Sequence, residues 1–230
     1  MKPAMKPVKI TERNIMFTQP MGEGYDLNLG LILGNKYNYV IDTGLGSGSV
    51  APVLEYTAND GKPVIAVNTH WHWDHIFGNF VFEKSFIIAH SACRELIEKN
   101  WDEIDRGCAK YKDGEMRKCL PNTVFEGEIR FPEDGVVIFH SPGHSADCIS
   151  VYDAVDKVLH AGDNIGDTEE EIVPWIDTDM ETFRKLIETY KRYDFDFCVS
   201  GHNKPQTKAV LARMEAGLAE AWGKQRQNTP

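Results

Sequence analysis

The chain has 230 residues, 42% hydrophobic and 26% charged, which is enough for a sizeable buried core and ordinary for a globular protein. Its formal net charge is −10, so it lacks the basic footprint that phosphate-backbone binding needs, and nucleic acid is not an expected partner. No apolar run approaches the roughly 18 residues that span a bilayer, and residues 1–10, which carry Lys2, Lys6 and Lys9, lack the apolar core of a secretion signal. The expectations are no membrane association and a cytoplasmic location.

In chain order, 8–19 and 26–34 read as strands around a turn marked by Gly22 and Gly24, with 37–41 as a third strand. Gly44, Gly46 and Gly48 follow as a turn, 49–56 reads as a helix, and 63–67 as a strand buried on both faces. A strand at 86–89 leads to a helix starting near Ser91, and 91–121 reads as a cap of helices and loop. The second part repeats the alternation, with strands at 124–131, 136–140, 148–153 and 158–161. Phe183, Leu186, Ile187 and Tyr190 recur at helical intervals behind a capping box of Thr178 and Glu181. A last strand at 195–200 and a helix at 206–222 complete the pattern. No linker divides the chain, so one domain over 1–230 is expected, with 1–7 and 223–230 frayed. Five scattered cysteines with no C-x-x-C read as reduced thiols.

The chemistry concentrates in His70-Trp71-His72-Trp73-Asp74-His75, directly after an apolar strand. In extended backbone residues i and i+2 point the same way, so His70 and His72 can grip one metal ion, while Asp74 and His75 face a second. Trp71 and Trp73 then point into the sandwich as packing. Three further candidate ligands each end a strand: His144 after Ser141-Pro142-Gly143, Asp163 after Ala161-Gly162, and His202 after Ser200-Gly201. Strand-end loops are where a site at a sheet edge takes its ligands. His140 and His160 read as core or rim histidines, His90 as a residue lining the cleft, and Trp175 as a loop residue within reach of the pocket.

These motifs resemble the metallo-β-lactamase superfamily over nearly the whole chain. Asp42-Thr43-Gly44, the H-x-H-x-D-H run followed by Gly78 and Asn79, Pro142-Gly143-His144, Ala161-Gly162-Asp163 and Ser200-Gly201-His202 occur in the family's order. The resemblance implies an α+β fold, a four-layer αββα sandwich with metals at one edge. It implies that His70, His72 and His144 hold one ion, that Asp74, His75 and His202 hold another, and that Asp163 bridges them. It also implies that Asp42 fixes a ligand histidine, although a simple turn role for Asp42 stays open. Imidazole and carboxylate donors suit zinc first, with iron or manganese as alternatives. The implied activity is hydrolysis of a small molecule by a metal-bridging hydroxide, with Asp74 as the candidate catalytic residue.

Departures narrow the branch. True metallo-β-lactamases usually lack a carboxylate at the position of Asp163, and the expectation is that the chain has neither the extra helical domain of full-length glyoxalase II nor the inserted domain of nucleic-acid-cutting relatives. A short glyoxalase II-like hydrolase of an ester, thioester or lactone is the expectation, ahead of a phosphodiesterase, nuclease or β-lactamase. The cap, with Trp101, Arg106, Lys110, Tyr111, Lys112, Arg117 and Lys118, would set substrate choice. The rival is a mononuclear iron oxygenase resembling persulfide dioxygenases, built on His70, His144 and Asp163. Related proteins are often dimers, so a homodimer is the oligomer the resemblance suggests.

Overall fold

A computed structural model of the chain describes residues 5–22 and 25–227. The first half makes a seven-stranded sheet whose strands lie side by side in sequence order: β1 (Lys6–Lys9), β2 (Asn14–Gly22), β3 (Tyr25–Leu33), β4 (Asn38–Ile41), β5 (Val64–Val67), β6 (Ile87–His90) and β7 (Thr123–Phe125). Strands β1 to β4 pair antiparallel, and β4 to β7 pair parallel through helical crossovers. The second half makes a six-stranded sheet in the order β13-β12-β11-β10-β9-β8. Its strands are β8 (Glu128–Phe131), β9 (Val136–His140), β10 (Ile149–Asp153), β11 (Val158–Gly162), β12 (Phe197–Ser200) and β13 (Gln206–Thr207).

Burial explains the layering. Every residue of β4 and β6 is buried, as expected of parallel strands covered on both faces, whereas exposed Glu128 and Arg130 alternate with half-buried Ile129 and Phe131 in the edge strand β8. Ile32, Tyr39, Ile41, Ile65 and Val67 of the first sheet meet Val136, Ile138, Ile149 and Val151 of the second in one apolar layer. Outside the first sheet, α1 (Ser47–Thr57) buries Val50 and Val53, and α3 (Ser91–Cys108) buries Cys93, Ile97, Trp101 and Ile104. Outside the second, α4 (Met180–Lys191) and α5 (Val210–Gln227) bury Phe183, Leu186, Ile187, Val210 and Met214. At about 1.5–3 kcal/mol per fully buried large side chain, this packing stabilises all four layers. The αββα sandwich is therefore present.

Several boundaries differ from those the sequence suggests. The run 8–19 breaks where Thr11 Oγ1 accepts from the Asn14 N–H, so the segment is two strands, and β1 begins at Lys6 inside the stretch read as frayed. The run 124–131 also breaks, and Glu126-Gly127 carries the chain from one sheet to the other. Asp179, not Thr178, caps α4 by accepting from the Thr182 N–H at 2.9 Å. Gln206 and Thr207 extend the second sheet, so α5 starts later, and it continues past the expected stop at Trp222. Gly24, residues 1–4 and residues 228–230, covered by the turn and frayed-end expectations, lie outside the described residues. All five cysteines are free thiols, and among the described residues no helix is long and apolar enough to cross a membrane.

The C-terminal ends of β4, β5, β9, β11 and β12 all open on the same edge of the sandwich. Two backbone bonds lock the sheets together there: the Ile149 N–H donates to Thr69 O at 2.8 Å and the Asn28 N–H to Gly201 O at 2.7 Å.

Candidate metal centre

After β5 the chain does not stay extended. It bends through 68–72 into the one-turn helix α2 (Trp73–Ile76), and the bend brings the His70 and His72 rings within 4.6 Å of each other. A buried network holds this turn from behind. Asn79 Oδ1 accepts from Thr43 Oγ1 and Asn68 Nδ2, and Asn79 Nδ2 donates back to Asn68 Oδ1 at 2.9 Å.

Four histidines are tied by one ring nitrogen and turn the other inward, where His144 Nε2 lies 3.0 Å from His72 Nδ1. The Nδ1–H groups of His75, His144 and His202 donate to Asp42 Oδ2 at 2.8 Å, Trp175 O at 2.7 Å and Asp26 O at 2.7 Å. Thr69 Oγ1 is committed as donor to Asp42 Oδ2, so it accepts from His70 Nδ1 at 3.1 Å. Asp42 itself turns the chain at φ 64° and also accepts from the Thr69 N–H. Asp42 thus sits at a turn and hydrogen-bonds His75.

The inward atoms converge. His70, His72, His144 and Asp163 form one group and Asp74, His75 and His202 another, with the donor atoms of each group within 4.8 Å of one another. Asp163 Oδ2 lies between them, 3.5 Å from His70 Nε2 and 3.3 Å from both His75 Nε2 and His202 Nε2. Asp74 Oδ2 is 3.3 Å from His202 Nε2. Gly201 is required at its position, because a Cβ there would collide with Asp163 Oδ1.

Electrostatics divide the cluster. Burial holds His70 well below the ordinary imidazole range, aided by the neighbouring His75, and lowers His72 to about 4 with help from His144. Burial also opposes charge on His75 and His202, but Asp163 and Asp74 outweigh it and raise both. The two carboxylates are likewise disfavoured by burial, yet the imidazoles around them, His75 first, hold both low.

Among the described residues, His70 Nε2, His75 Nε2, His202 Nε2 and Asp163 Oδ1 are buried with no hydrogen-bond partner. A bare buried polar atom costs about 1–3 kcal/mol, and three imidazole nitrogens gathered around Asp163 Oδ2 fit divalent ions with nitrogen and oxygen ligands.

The family model for the metallo-beta-lactamase superfamily matches residues 25–202. The chain belongs to this superfamily. As a superfamily member it is 27% identical to the acyl-coenzyme A thioesterase MBLAC2 of Bos taurus, over 78% of this chain and 74% of that protein. The Homo sapiens protein of the same name is 26% identical over the same shares. An atrochrysone carboxyl ACP thioesterase of Aspergillus chevalieri is 27% identical over 68% of this chain and 47% of its own length. Among solved structures, DIM-1 metallo-beta-lactamase superposes with a TM-score of 0.77 at 16% identity, covering 96% of this chain and 99% of that one. A metallo-beta-lactamase from Pontibacter korlensis gives 0.75 at 21%, covering 94% and 99%. These last two share the metallo-β-lactamase fold with the chain, and the chain is a hydrolytic enzyme.

The remaining candidates of this superfamily member sort cleanly. His160 is a core histidine whose Nε2 donates to Asn14 Oδ1 at 3.0 Å. His140 donates to Ala146 O and stacks on His90 at 4.0 Å. His90 Nδ1 accepts from the Ala92 N–H at the start of α3, so His90 serves as a helix cap. Trp71 and Trp73 are packing residues as expected, but they pack under α3 on the helix side of the first sheet instead of between the sheets. Trp175 reaches the centre through its carbonyl alone; its indole is 79% exposed. Sequence reasoning missed Tyr25, which stacks on His202 at 4.4 Å, and Asp26, which accepts from it. No motif marks either one, because one acts through its ring face and the other through its backbone.

Proposed function

We propose that the chain is a two-ion hydrolase of acyl thioesters. One observation carries the reading: seven histidine and aspartate donors converge in two adjacent groups with buried, unpartnered atoms facing the space between them. His70, His72 and His144 would hold the first ion, and Asp74, His75 and His202 the second. Asp163 would serve both, supported by the position of its Oδ2 among nitrogens of the two groups. The donor set suits zinc first, with iron or manganese next. When bound, such ions supply Lewis-acid chemistry, activating water and polarising the scissile carbonyl.

The chain's own residues do the rest. Asp42, Asp26 and the Trp175 carbonyl keep the Nδ1 protons of His75, His202 and His144 outside, so their Nε2 lone pairs point inward. Asp74 orients the attacking water and takes its proton on a carboxylate oxygen. As the new C–O bond forms and the C–S bond breaks, that proton passes to the leaving thiolate. The Asp74→Asn variant checks this: full activity at full metal content would contradict it. The thioester class is supported by the thioesterase names of the relatives. A mononuclear oxygenase built on His70, His144 and Asp163 would leave the converging Asp74, His75 and His202 idle.

A substrate panel tests the reading. Metal-loaded protein is assayed on an acyl-coenzyme A, an aryl ester, a lactone, a β-lactam and a phosphodiester. The highest kcat/KM is expected on the thioester; no thioester turnover at full metal content would overturn the proposal.

A further inference from the structure

We propose that two buried asparagines, Asn164 and Asn28, each preset one half of the metal centre: Asn164 the His144 side and Asn28 the His202 side. The inference rests on the two-ion reading above and adds residues that no motif marks.

Asn164 follows Asp163 and is fully buried. Its Oδ1 accepts from the His144 N–H at 2.8 Å, and its Nδ2 donates to Ser141 O at 2.8 Å. One side chain thus ties the loop carrying His144 to the backbone carrying Asp163. It is itself held from below, because Nδ2 also reaches the Tyr190 hydroxyl at 3.0 Å, which bonds Ser150 Oγ at 2.7 Å. Gly143 is shaped to this contact, since a Cβ there would lie 2.5 Å from Asn164 Oδ1.

Asn28 does the corresponding work from the other sheet. Its Nδ2 donates to Ser200 O at 3.1 Å and Asn203 O at 2.8 Å, and its backbone N–H donates to Gly201 O, so three bonds bracket His202. Thr18 Oγ1 donates to Asn28 Oδ1 at 2.8 Å and fixes the amide. Asn28 belongs to the first sheet and His202 follows the second, so this brace also sets the gap between the sheets at the centre.

Both asparagines are positioning residues, because they bond the backbone of a ligand residue or of its near neighbours and none of the donor atoms. Removing the Asn164 amide strands the His144 N–H and Ser141 O, and removing that of Asn28 strands the Ser200 and Asn203 carbonyls; such groups must find water or move. Ligand sets tolerate displacements of only about 0.5 Å, and losing an outer partner typically weakens metal binding by about 10–100-fold. The two braces touch different loops, so their losses should separate.

The test is zinc titration calorimetry on the full chain, with melting of the metal-free protein measured alongside. Wild type should take up two ions. In a His202→Ala background, which leaves the first ion, Asn164→Ala should weaken binding about 10–100-fold while Asn28→Ala leaves it unchanged. In a His144→Ala background Asn28→Ala should weaken binding more than Asn164→Ala, whose remaining effect passes only through the adjacent Asp163. Tyr190→Phe and Thr18→Val remove only the supporting hydroxyls and should weaken the first and second ion, respectively, by smaller factors. These two decide the matter if an alanine variant fails to fold. Equal weakening of both ions by both braces, or no weakening by either, overturns the inference while leaving the two-ion reading intact. Uptake of fewer than two ions by wild type overturns both.

Discussion

At the scale of single residues, buried carboxylates in this chain take different roles according to what faces them. Asp42 accepts from the Thr69 N–H, Thr69 Oγ1 and His75 Nδ1, so one side chain joins the turn after β4 to the turn after β5. Asp42→Asn keeps the size but not the charge that favours the Nδ1–H tautomer of His75. Zinc affinity is expected to fall about 10–100-fold, read by competition with a chelating dye. Asp134, far from the centre, accepts from the Lys36 N–H at 2.6 Å, the Tyr37 N–H at 3.2 Å and the Tyr39 hydroxyl at 2.6 Å. Burial pushes its carboxyl up, but the Tyr39 hydroxyl and the backbone donors outweigh that and lower it. A lowered folded value means the stabilisation is complete above the unfolded value of about 3.9 and is lost as pH falls through the folded one. Asp134→Asn should therefore cost about 1–3 kcal/mol at neutral pH. The gap in melting temperature from wild type should close in acid; a constant gap would contradict the account.

At the scale of elements, the sequence is most legible where a single period persists. The apolar stripe of α4 and the short run of β5 announce themselves because burial repeats at 3.6 or is continuous. Phe183→Ala, in the layer between α4 and the second sheet, should cost about 3–5 kcal/mol in urea unfolding. Boundaries are less legible where one apolar run serves two sheets. Val124 and Phe125 pair with β6 while Ile129 pairs with β9, and local hydropathy does not record which sheet a strand joins. Caps are misplaced for a similar reason. Thr178 has the spacing of a cap, but its hydroxyl donates to Gly143 O, leaving Asp179 to start α4. That donation, with the Asp177 N–H to His144 O, makes 175–178 a strap over the His144 loop. The exposed Trp175 indole is pinned on this strap by Nε1 donating to Asp177 Oδ1 at 2.6 Å, so it presents a fixed apolar face to solvent above the His144 loop. Under the proposed thioesterase reading, Trp175→Ala keeps the carbonyl that holds His144 and should raise KM for an acyl-coenzyme A while kcat and zinc content stay unchanged. A loss of zinc would show that the indole supports the centre instead.

At the scale of the whole molecule, two sheets meet so that loops from both reach one edge, and no single half carries a complete set of donors. His70, His72, Asp74 and His75 come from the first sheet's side, His144, Asp163 and His202 from the second's. The candidate ligands were legible in the sequence because few side-chain types hold such ions, and here histidines and aspartates cluster after strand ends. The supports were not: Asn28, Asn164, Tyr25 and Asp26 act through amides, a ring face and a carbonyl, and their partners are brought near only by the packing of one sheet on the other. Hydrolysis as proposed needs two ions working together. Chelator-stripped protein titrated with zinc, with ion content and thioester hydrolysis followed in the same samples, tests this most directly. Activity should rise to its plateau at two equivalents per chain; a plateau at one equivalent, or hydrolysis by the stripped protein, would contradict it.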